Sequence, residues 1–193
     1  MNLLHDASLY LLYALLALAI FLAIERSIFY LATGRDLGRV LAALKARREL
    51  PSCGAGGVGA LLVEAVPGLL APGLSRTVSE DATEQVYIQI QRQLTRNLWL
   101  LDTVITAAPL LGLLGTILGI FETFTVLAKS GISDPQGVSA GIGVALLATA
   151  IGIGTALVAL VIHNGFLARV ESLGTDTKLA LLTLSTRDAR SLA

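Results

Sequence analysis

Residues 98–124 read LWLLDTVITAAPLLGLLGTILGIFETF. This run is long and apolar enough to cross a lipid bilayer, because about 20 such residues span the hydrocarbon core. It also holds residues that a simple anchor avoids, namely Pro109, Thr116 and the carboxylate of Glu122. Because an ionisable group is costly in lipid, Glu122 is expected to face protein or water. The run therefore predicts a membrane helix that packs against other helices and lines a polar space.

Small residues mark the faces on which this helix is expected to pack. At about 100° per residue, one side of the helix carries Gly112, Gly115, Gly119 and Glu122. Gly115 and Gly119 form a GxxxG pair, which lets a neighbouring backbone approach closely. A later apolar run, 138–167, is equally rich in glycine and alanine and includes Gly152. Together with Pro109, these glycines are the predicted packing positions of the two helices.

The composition is that of a membrane protein. Of the 193 residues only 15% are charged and 54% are hydrophobic, whereas a soluble domain carries roughly 25% charged residues. The formal net charge is zero, which argues against a nucleic-acid partner. The single cysteine, Cys53, excludes an internal disulfide and is expected to be a free thiol. The sequence contains no Walker A motif, no His-Glu-x-x-His motif and no Cys/His metal spacing, so it predicts a non-enzymatic protein without cofactor or metal ion.

Three apolar runs predict an all-α membrane protein with three transmembrane helices and long cytoplasmic helical extensions of the second and third. We expect the second helix to begin near Thr77 and to continue unbroken past Trp99 into the membrane. The predicted organisation is a periplasmic N-terminus (1–8), transmembrane helix 1 (9–31), a cytoplasmic helical region (32–98), transmembrane helix 2 (99–128), a periplasmic turn (129–137), transmembrane helix 3 (138–167) and a cytoplasmic C-terminal helix (168–193).

The distribution of positive charge predicts the orientation. Of the 14 Lys and Arg residues, all except Lys129 lie on the side that holds the middle region and the C-terminal tail. Cytoplasmic segments carry the excess of Lys and Arg, so that side is predicted to be cytoplasmic. The N-terminus and the Lys129 turn are then outside.

Two threonines are predicted to lie at one depth in the membrane. Thr116 comes 13 residues before Lys129, and Thr149 comes 12 residues after Gly137. At a rise of 1.5 Å per residue, each lies roughly 18–20 Å below the outer turn. Thr116 and Thr149 would form a polar ring if several copies assembled around an axis. The alternative is that each hydroxyl only bonds a carbonyl of its own helix.

The ionisable residues leave a gap near the middle of the membrane. Glu122 lies within about two turns of the outer end, where it either faces a polar space or reaches the headgroups. Asp102 and Glu25 are expected near the cytoplasmic interface, where Asp102 is expected to pair with Arg96 and Glu25 with Arg26. Since no carboxylate is predicted at mid-membrane, a partner would have to supply the proton-carrying group if protons cross here.

Two segments carry a family resemblance. Residues 101–119 (LDTVITAAPLLGLLGTILG) and 145–152 (ALLATAIG) resemble the two signature helices of the ExbB/TolQ/MotA proton-channel family, most closely those of ExbB. The resemblance extends from about Gln91 to Leu173. The three-helix layout with an outside N-terminus is similar to that of ExbB and TolQ, whereas flagellar stators of the MotA type have four membrane helices.

The resemblance implies a homopentamer, in contact with membrane lipids, in the inner membrane of a Gram-negative bacterium. Its second and third helices would line a pore that holds a dimer of ExbD-like single-span proteins. The partner's aspartate would carry the proton and the pore threonines, Thr116 and Thr149, would serve its path. Proton-motive force would then energise a TonB-like protein for outer-membrane import. A TolQ-like role in envelope maintenance and a non-conducting membrane scaffold are the alternatives.

One position departs from the family pattern. Many ExbB and TolQ chains carry a glutamate in the third helix a few residues before Ala-Thr-Ala, where this chain has Val144. Glu122 is absent from many of those chains. For this reason no glutamate role is carried over, and Glu122 and Asp102 are predicted only as accessory polar residues.

Overall fold

The computed structural model describes residues 3–46, 51, 53, 57–69, 76–130 and 135–191. Five α-helices follow one another along the chain, with the bounds α1 Leu3–Ala46, α2 Val58–Leu69, α3 Arg76–Thr95, α4 Leu98–Ser130 and α5 Pro135–Ser191. The described residues contain no strand. The prediction of an all-α fold is therefore confirmed.

Three helical stretches are long and apolar enough to cross a membrane, judged by length and composition. They lie within Ala7–Leu44, Glu80–Ala128 and Pro135–Leu182. The remaining apolar helix, α2, is shorter than a bilayer requires. The prediction of three membrane-length helices is confirmed as well.

The helices extend further than the predicted membrane segments. α1 continues without interruption from Leu3 to Ala46, and α5 continues to Ser191. α4 runs to Ser130 and α5 begins at Pro135, so both helices extend into the stretch 129–137. Proline suits the first position of a helix, where its missing N–H has no partner to lose. Residues 131–134 lie outside the described residues.

The expectation of one unbroken helix leading into the second apolar run is wrong. α3 ends at Thr95 and α4 begins at Leu98, with a turn at residues 96 and 97 between them. Asn97 has a φ of 64°, in the left-handed region, and its carbonyl accepts a hydrogen bond from the N–H of Leu100 at 3.2 Å. Asparagine is one of the few non-glycine residues that adopt this conformation at a helix C-terminus. This single residue ends α3 and starts α4.

We expect the break at Asn97 to respond to substitution according to backbone strain. Asn97→Ala should lower stability by about 1 kcal/mol, because a Cβ-bearing residue without the local hydrogen bonds of asparagine tolerates a positive φ poorly. Asn97→Gly should be neutral or stabilising, since glycine adopts this region freely. For a chain of this size the alanine variant should unfold about 2–4 °C lower in a thermal scan of the detergent-purified protein. Equal unfolding temperatures for the alanine and glycine variants would contradict the assignment.

The chain forms two compact units. The first consists of Met1–Ile24 with Asn97–Asn164, and the second of Glu25–Arg96 with Gly165–Ala193. The turn between α3 and α4 falls at a boundary between these units.

Within the second unit, α1 contributes an aromatic and ionic cluster. The buried Tyr30 donates a hydrogen bond from its hydroxyl to the carbonyl of Leu94 at 2.7 Å and packs against Phe166 with ring centroids 5.3 Å apart. The Leu94 carbonyl belongs to the last turn of α3, where carbonyls have no donor within the helix. Tyr30 therefore caps the end of α3 from a neighbouring helix.

The predicted pair of Glu25 and Arg26 is present in this unit. Nε of Arg26 lies 2.9 Å from Oε2 of Glu25, and the guanidinium lies 5.0 Å from the ring centroid of Phe29. The arginine side chain is only 3% exposed, whereas that of Glu25 is 39% exposed. The buried member of the pair is thus the cation.

Cys53, also in the second unit, is a free thiol that packs against a glycine of α2. A Cβ atom placed on Gly59 would lie 2.9 Å from Sγ of Cys53 and 3.1 Å from Cβ of Asp36. Burial raises the pKa of the Cys53 thiol above its ordinary value, the charge of Asp36 raises it further, and Arg39 opposes both. The thiol is therefore a weaker acid than an exposed cysteine.

Alkylation of Cys53 should report this environment. Because the thiolate is the reactive form, the rate with iodoacetamide should reach half of its maximum at a higher pH than for a free thiol. Asp36→Asn should move that midpoint downward, since it removes a negative charge that disfavours the thiolate. Rates measured across pH on the purified protein provide the test, and an unchanged midpoint in Asp36→Asn would contradict the role of that charge.

Candidate functional site

In the first unit, α4 and α5 approach each other most closely where both carry glycine. A Cβ atom placed on Gly152 would lie 2.6 Å from the carbonyl oxygen of Ala108 and 3.1 Å from Cα of Gly112. One placed on Gly112 would lie 3.0 Å from the carbonyl oxygen of Ala148. Two backbones at this separation leave no room for a side chain between them. The glycines therefore bring the main chains of the two helices into direct contact.

Thr116 and Thr149 meet next to this contact. Their hydroxyl oxygens are hydrogen-bonded to each other across the α4–α5 interface. The hydroxyl of Thr149 also donates to the carbonyl of Gly112, on the opposite helix, at 2.9 Å. The alternative in which each hydroxyl bonds only its own helix does not describe this pair.

Thr116 has further acceptors on both helices. Its hydroxyl lies 3.1 Å from the carbonyl of Gly112 in α4 and 3.3 Å from the carbonyl of Ala145 in α5. Gly112 precedes Thr116 by four residues, and Ala145 precedes Thr149 by four. Both threonines are half-buried. The pair is thus a half-buried polar site, built from two hydroxyls and two backbone carbonyls in an apolar interface.

Comparison of the sequence with known protein families assigns the chain to one of them. Residues 58–178 match the MotA/TolQ/ExbB proton channel family. The chain belongs to this family. The matched segment contains all of α4 and the part of α5 that packs against it, so the threonine pair lies within the region that defines a proton channel family. Its three membrane-length helices and its family make the chain a membrane protein.

Proteins of this family that resemble the chain carry two kinds of name. The biopolymer transport protein ExbB of Aquifex aeolicus is 36% identical over 106 residues, covering 53% of this chain and 72% of that protein. The biopolymer transport protein ExbB of Salmonella typhimurium is 37% identical over 103 residues, covering 51% of this chain and 42% of that protein. The Tol-Pal system protein TolQ of Pseudomonas aeruginosa is 37% identical over 99 residues, covering 50% and 43%. The chain therefore matches less than half the length of the latter two.

The other predicted polar residues of α4 lie apart from the threonine pair. Glu122 is half-buried, and its carboxylate makes no hydrogen bond or ion pair with the described residues. Asp102 is exposed, and its carbonyl accepts the hydroxyl of Thr106 at 3.2 Å. Neither carboxylate bonds to Thr116 or Thr149. The structure therefore does not bring the predicted accessory residues into the site.

The remaining predicted packing positions lie along the same helix. Pro109 is half-buried inside α4, which continues through it. Gly115 faces the first unit's part of α1, since a Cβ atom placed there would lie 3.3 Å from Oγ of Ser8 and 3.1 Å from Cβ of Ala148. Gly119 is buried, and its carbonyl accepts the hydroxyl of Thr123 at 2.8 Å. The glycine face of α4 is therefore shared between α5 and α1.

Three buried hydroxyl residues in the described part of this unit were missed by the sequence analysis, namely Ser8, Thr123 and Thr155, the last of which is 3% exposed. Ser8 is 7% exposed and lies against Gly115, and Thr123 is 9% exposed and lies against Gly141. The spacing held a signal for Thr123, because it follows Thr116 by seven residues and so falls on the same face of α4. Ser8 gave no signal, since its position depends on how α1 packs against α4.

Proposed function

We propose that this chain is an ExbB-like subunit of a proton-driven motor in the inner membrane of a Gram-negative bacterium. The observation that carries the proposal is the contact between the hydroxyls of Thr116 and Thr149, half-buried in the segment that matches a proton channel family. Polar groups inside an apolar membrane helix are costly and are retained where they serve a function. The two threonines would belong to the path of the proton.

The chain would act in a larger assembly. Five copies would surround a pore lined by α4 and α5, and the pore would hold a dimer of ExbD-like single-span proteins. Large side chains exposed on α1 and α4, among them Tyr10 and Phe121 at 73% and 71%, would contact lipid or neighbouring subunits. The complex would energise a TonB-like protein for import across the outer membrane.

The partner would bring the proton carrier. No carboxylate bonds to either pore threonine among the described residues, so the chain offers hydroxyl donors and backbone acceptors. An aspartate on the ExbD-like partner would supply the titrating group. Glu122 and Asp102 would act only as accessory polar groups, towards the outer and inner ends of α4 respectively.

The orientation follows from charge. Of the 14 Lys and Arg residues, 12 fall in the middle region or the C-terminal tail, Arg26 lies near the same end of the first membrane segment, and only Lys129 lies on the other side. The side that holds the 12 residues would be cytoplasmic. The N-terminus and the connection between α4 and α5 would then be periplasmic. The middle region and the C-terminal part of α5 would form cytoplasmic helical extensions.

Reconstitution with the partner tests the proposal. The chain is co-expressed with an ExbD-like protein from its genome, its stoichiometry is read by native mass spectrometry, and proton flux is followed in liposomes that contain a pH-sensitive dye. We expect five copies with two of the partner, and a flux that falls about 100-fold in Thr116→Val/Thr149→Val because the positioned hydroxyls are lost. Thr116→Ser/Thr149→Ser should retain the flux.

A matched control isolates the site. Thr125 is exposed on α4, and within the described part of the chain its hydroxyl bonds only the carbonyl of Phe121, on its own helix, at 2.8 Å. Thr125→Val should therefore leave both flux and assembly unchanged. An assembly that ignores the partner, or one in which the double valine variant still conducts, would contradict the motor and favour a non-conducting scaffold.

A TolQ-like role in envelope maintenance is the second candidate, because the similarity to TolQ of Pseudomonas aeruginosa equals that to ExbB of Salmonella typhimurium. Deletion of the gene separates the two. Loss of TonB-dependent import with an intact envelope supports the ExbB-like role, and detergent sensitivity with normal import supports the TolQ-like role.

A further inference from the structure

A small cavity lies between α3 and α5 in the second unit. Its volume is about 190 Å³. Its lining combines two carboxylates, an aromatic ring, an ammonium group and an apolar side, which come from Glu80, Glu84, Tyr87, Lys178, Leu181 and Leu182. Pockets that enclose a drug-sized ligand measure about 300–1,000 Å³. This cavity, which we call the α3–α5 cavity, is therefore of the size that holds one long side chain.

The charges of the lining select a cation. The carboxylates of Glu80 and Glu84 outnumber the single ammonium group of Lys178, so the lining carries an excess of negative charge. The Nζ atom of Lys178 lies 5.9 Å from the ring centroid of Tyr87, so the ring already has a cation over its face. A guanidinium group stacks on aromatic rings and carries donors that match carboxylates. An arginine side chain therefore fits both the size and the chemistry of the cavity.

Arg39 of α1 is an arginine that is held only weakly by its own chain. Its side chain is 67% exposed, and it lies 3.5 Å from the carboxylate of Asp36, which is 28% exposed. A surface ion pair of this length contributes little to stability. The described lining of the α3–α5 cavity comes from α3 and α5, whereas Arg39 belongs to α1. The arginine and the cavity thus lie on different surfaces of the same chain.

Contacts between the helices define a common level in the second unit. A Cβ atom placed on Gly34 of α1 would lie 3.8 Å from Cδ2 of Leu173 of α5. One placed on Gly174, the next residue of α5, would lie 3.8 Å from the hydroxyl oxygen of Tyr87 of α3. These four residues therefore lie at about the same height along the three helices.

From this level, the helices lead to Arg39 and to the carboxylates of the cavity at matching heights. The contacts of Tyr30 described above show that, beyond it, α1 and α5 proceed with rising residue numbers and α3 with falling ones. At a rise of 1.5 Å per residue, Arg39 lies roughly 7.5 Å beyond the level. Glu84 and Glu80 lie roughly 4.5 and 10.5 Å beyond it. The arginine is therefore at the height of the space between the two carboxylates.

Two complementary surfaces at one height favour a ring. A contact between different surfaces of identical chains is head-to-tail, and it closes into a ring when successive copies are related by rotation alone, whereas a shift along the axis gives an open filament. Copies that cross one membrane in the same direction hold each residue at the same height. Each copy can therefore present its arginine to the cavity of the next copy without such a shift.

We infer that the α3–α5 cavity of one copy binds the side chain of Arg39 from a neighbouring copy. The guanidinium group donates hydrogen bonds to the carboxylates of Glu84 and Glu80, and its stem packs against the apolar side of the cavity. This inference rests on the assembly in the proposed function and names the surfaces that join its copies.

Cross-linking between two differently tagged full-length copies tests the contact. Both copies carry Cys53→Ser so that the native thiol cannot react, and one carries Arg39→Cys while the other carries Glu84→Cys. They are co-expressed with the ExbD-like partner, and the detergent-purified complex is treated with a short bis-maleimide. A dimer that contains both tags can form only by joining residue 39 of one copy to residue 84 of another. We expect this dimer.

A matched control uses Gln89→Cys in place of Glu84→Cys. Gln89 is exposed on α3 and lies five residues from Glu84, which places it on the opposite side of the helix. It also lies roughly 7.5 Å further along the axis. The control pair should give no dimer that contains both tags.

Charge reversal provides a second measurement. Arg39→Glu and Glu84→Arg each place like charges at the contact, and the double variant restores opposite charges in exchanged positions. Each single variant should weaken self-association about 10-fold, the size of one lost hydrogen bond to a charged group, and the double variant should recover most of this loss. Native mass spectrometry of the detergent-purified complex over a dilution series measures the effect.

Three results would overturn the inference. These are a complex of normal size that gives no dimer through residues 39 and 84, an equally strong dimer from the Gln89→Cys control, and single charge variants that associate as the wild type does. The cavity would then be left to a basic segment of another protein. A wild-type chain that purifies as a monomer would instead contradict the assembly in the proposed function, so the two failures are distinguishable.

Discussion

Gly152→Ala is expected to destabilise the protein although alanine is the better helix former. A Cβ atom at residue 152 would lie 2.6 Å from the carbonyl oxygen of Ala108 and 3.1 Å from Cα of Gly112. Both of these neighbouring atoms belong to the backbone of α4. Backbone cannot move aside as a flexible side chain does, so α4 and α5 must separate. Overpacking of this kind costs about 2 kcal/mol, more than the roughly 1 kcal/mol that alanine gains in helix propensity.

The measurement is a thermal unfolding scan of the detergent-purified protein, with Gly154→Ala as its control. Gly154 lies two residues further along α5, and a Cβ atom placed there would have nothing within 4 Å. The control should unfold at or above the wild-type temperature, and Gly152→Ala should unfold several degrees below it. Equal temperatures for the two variants would show that the close approach of the helices is not required.

The second large effect is expected at the pair of Glu25 and Arg26, where the exposed partner should matter more. Glu25→Ala leaves the guanidinium of Arg26, which is only 3% exposed, without its carboxylate. Stranding a buried charge in this way costs about 3 kcal/mol. Arg26→Met removes the buried charge and keeps most of the side-chain volume, while Glu25, 39% exposed, can still be solvated. That variant should cost much less.

Thermal scans of the two single variants and of Glu25→Ala/Arg26→Met test this asymmetry. The double variant should recover most of the stability lost in Glu25→Ala, because it contains no stranded cation. If Arg26→Met proved the more harmful single change, the guanidinium would be contributing through its contact with Phe29, 5.0 Å from the ring centroid, instead of being a buried charge in need of a partner.

The sequence predicted the helices and the common depth of the two threonines for physical reasons. Apolar runs of membrane length have few other structures open to them. Two helices joined by a short turn must be antiparallel neighbours, so counting residues from that turn was enough to bring Thr116 and Thr149 to one level. The adjacency of Glu25 and Arg26 in the chain likewise suggested their ion pair.

Other features depend on information that the sequence pattern does not carry. Asn97 interrupts neither the apolar runs nor the helical periodicity of the sequence. The break between α3 and α4 depends on the positive φ angle of this residue, which asparagine can adopt but does not always adopt. The contact between Ser8 and Gly115 depends on the rotation of α1 about its axis. The sequence likewise could not predict that the carbonyls of Gly112 and Ala145 are the acceptors, since every residue has the same carbonyl group.

The backbone acceptors limit how mutation can change the site. The acceptors are peptide groups of residues 112 and 145, so exchanging a side chain leaves their oxygen atoms in place. Only the donors at 116 and 149 are encoded by side chains. A point mutation can therefore remove either threonine hydroxyl directly. It can remove a carbonyl acceptor from the site only by displacing the helical turn that carries it. A scan of single substitutions should accordingly find polar requirements at two positions and size requirements at the glycines around them.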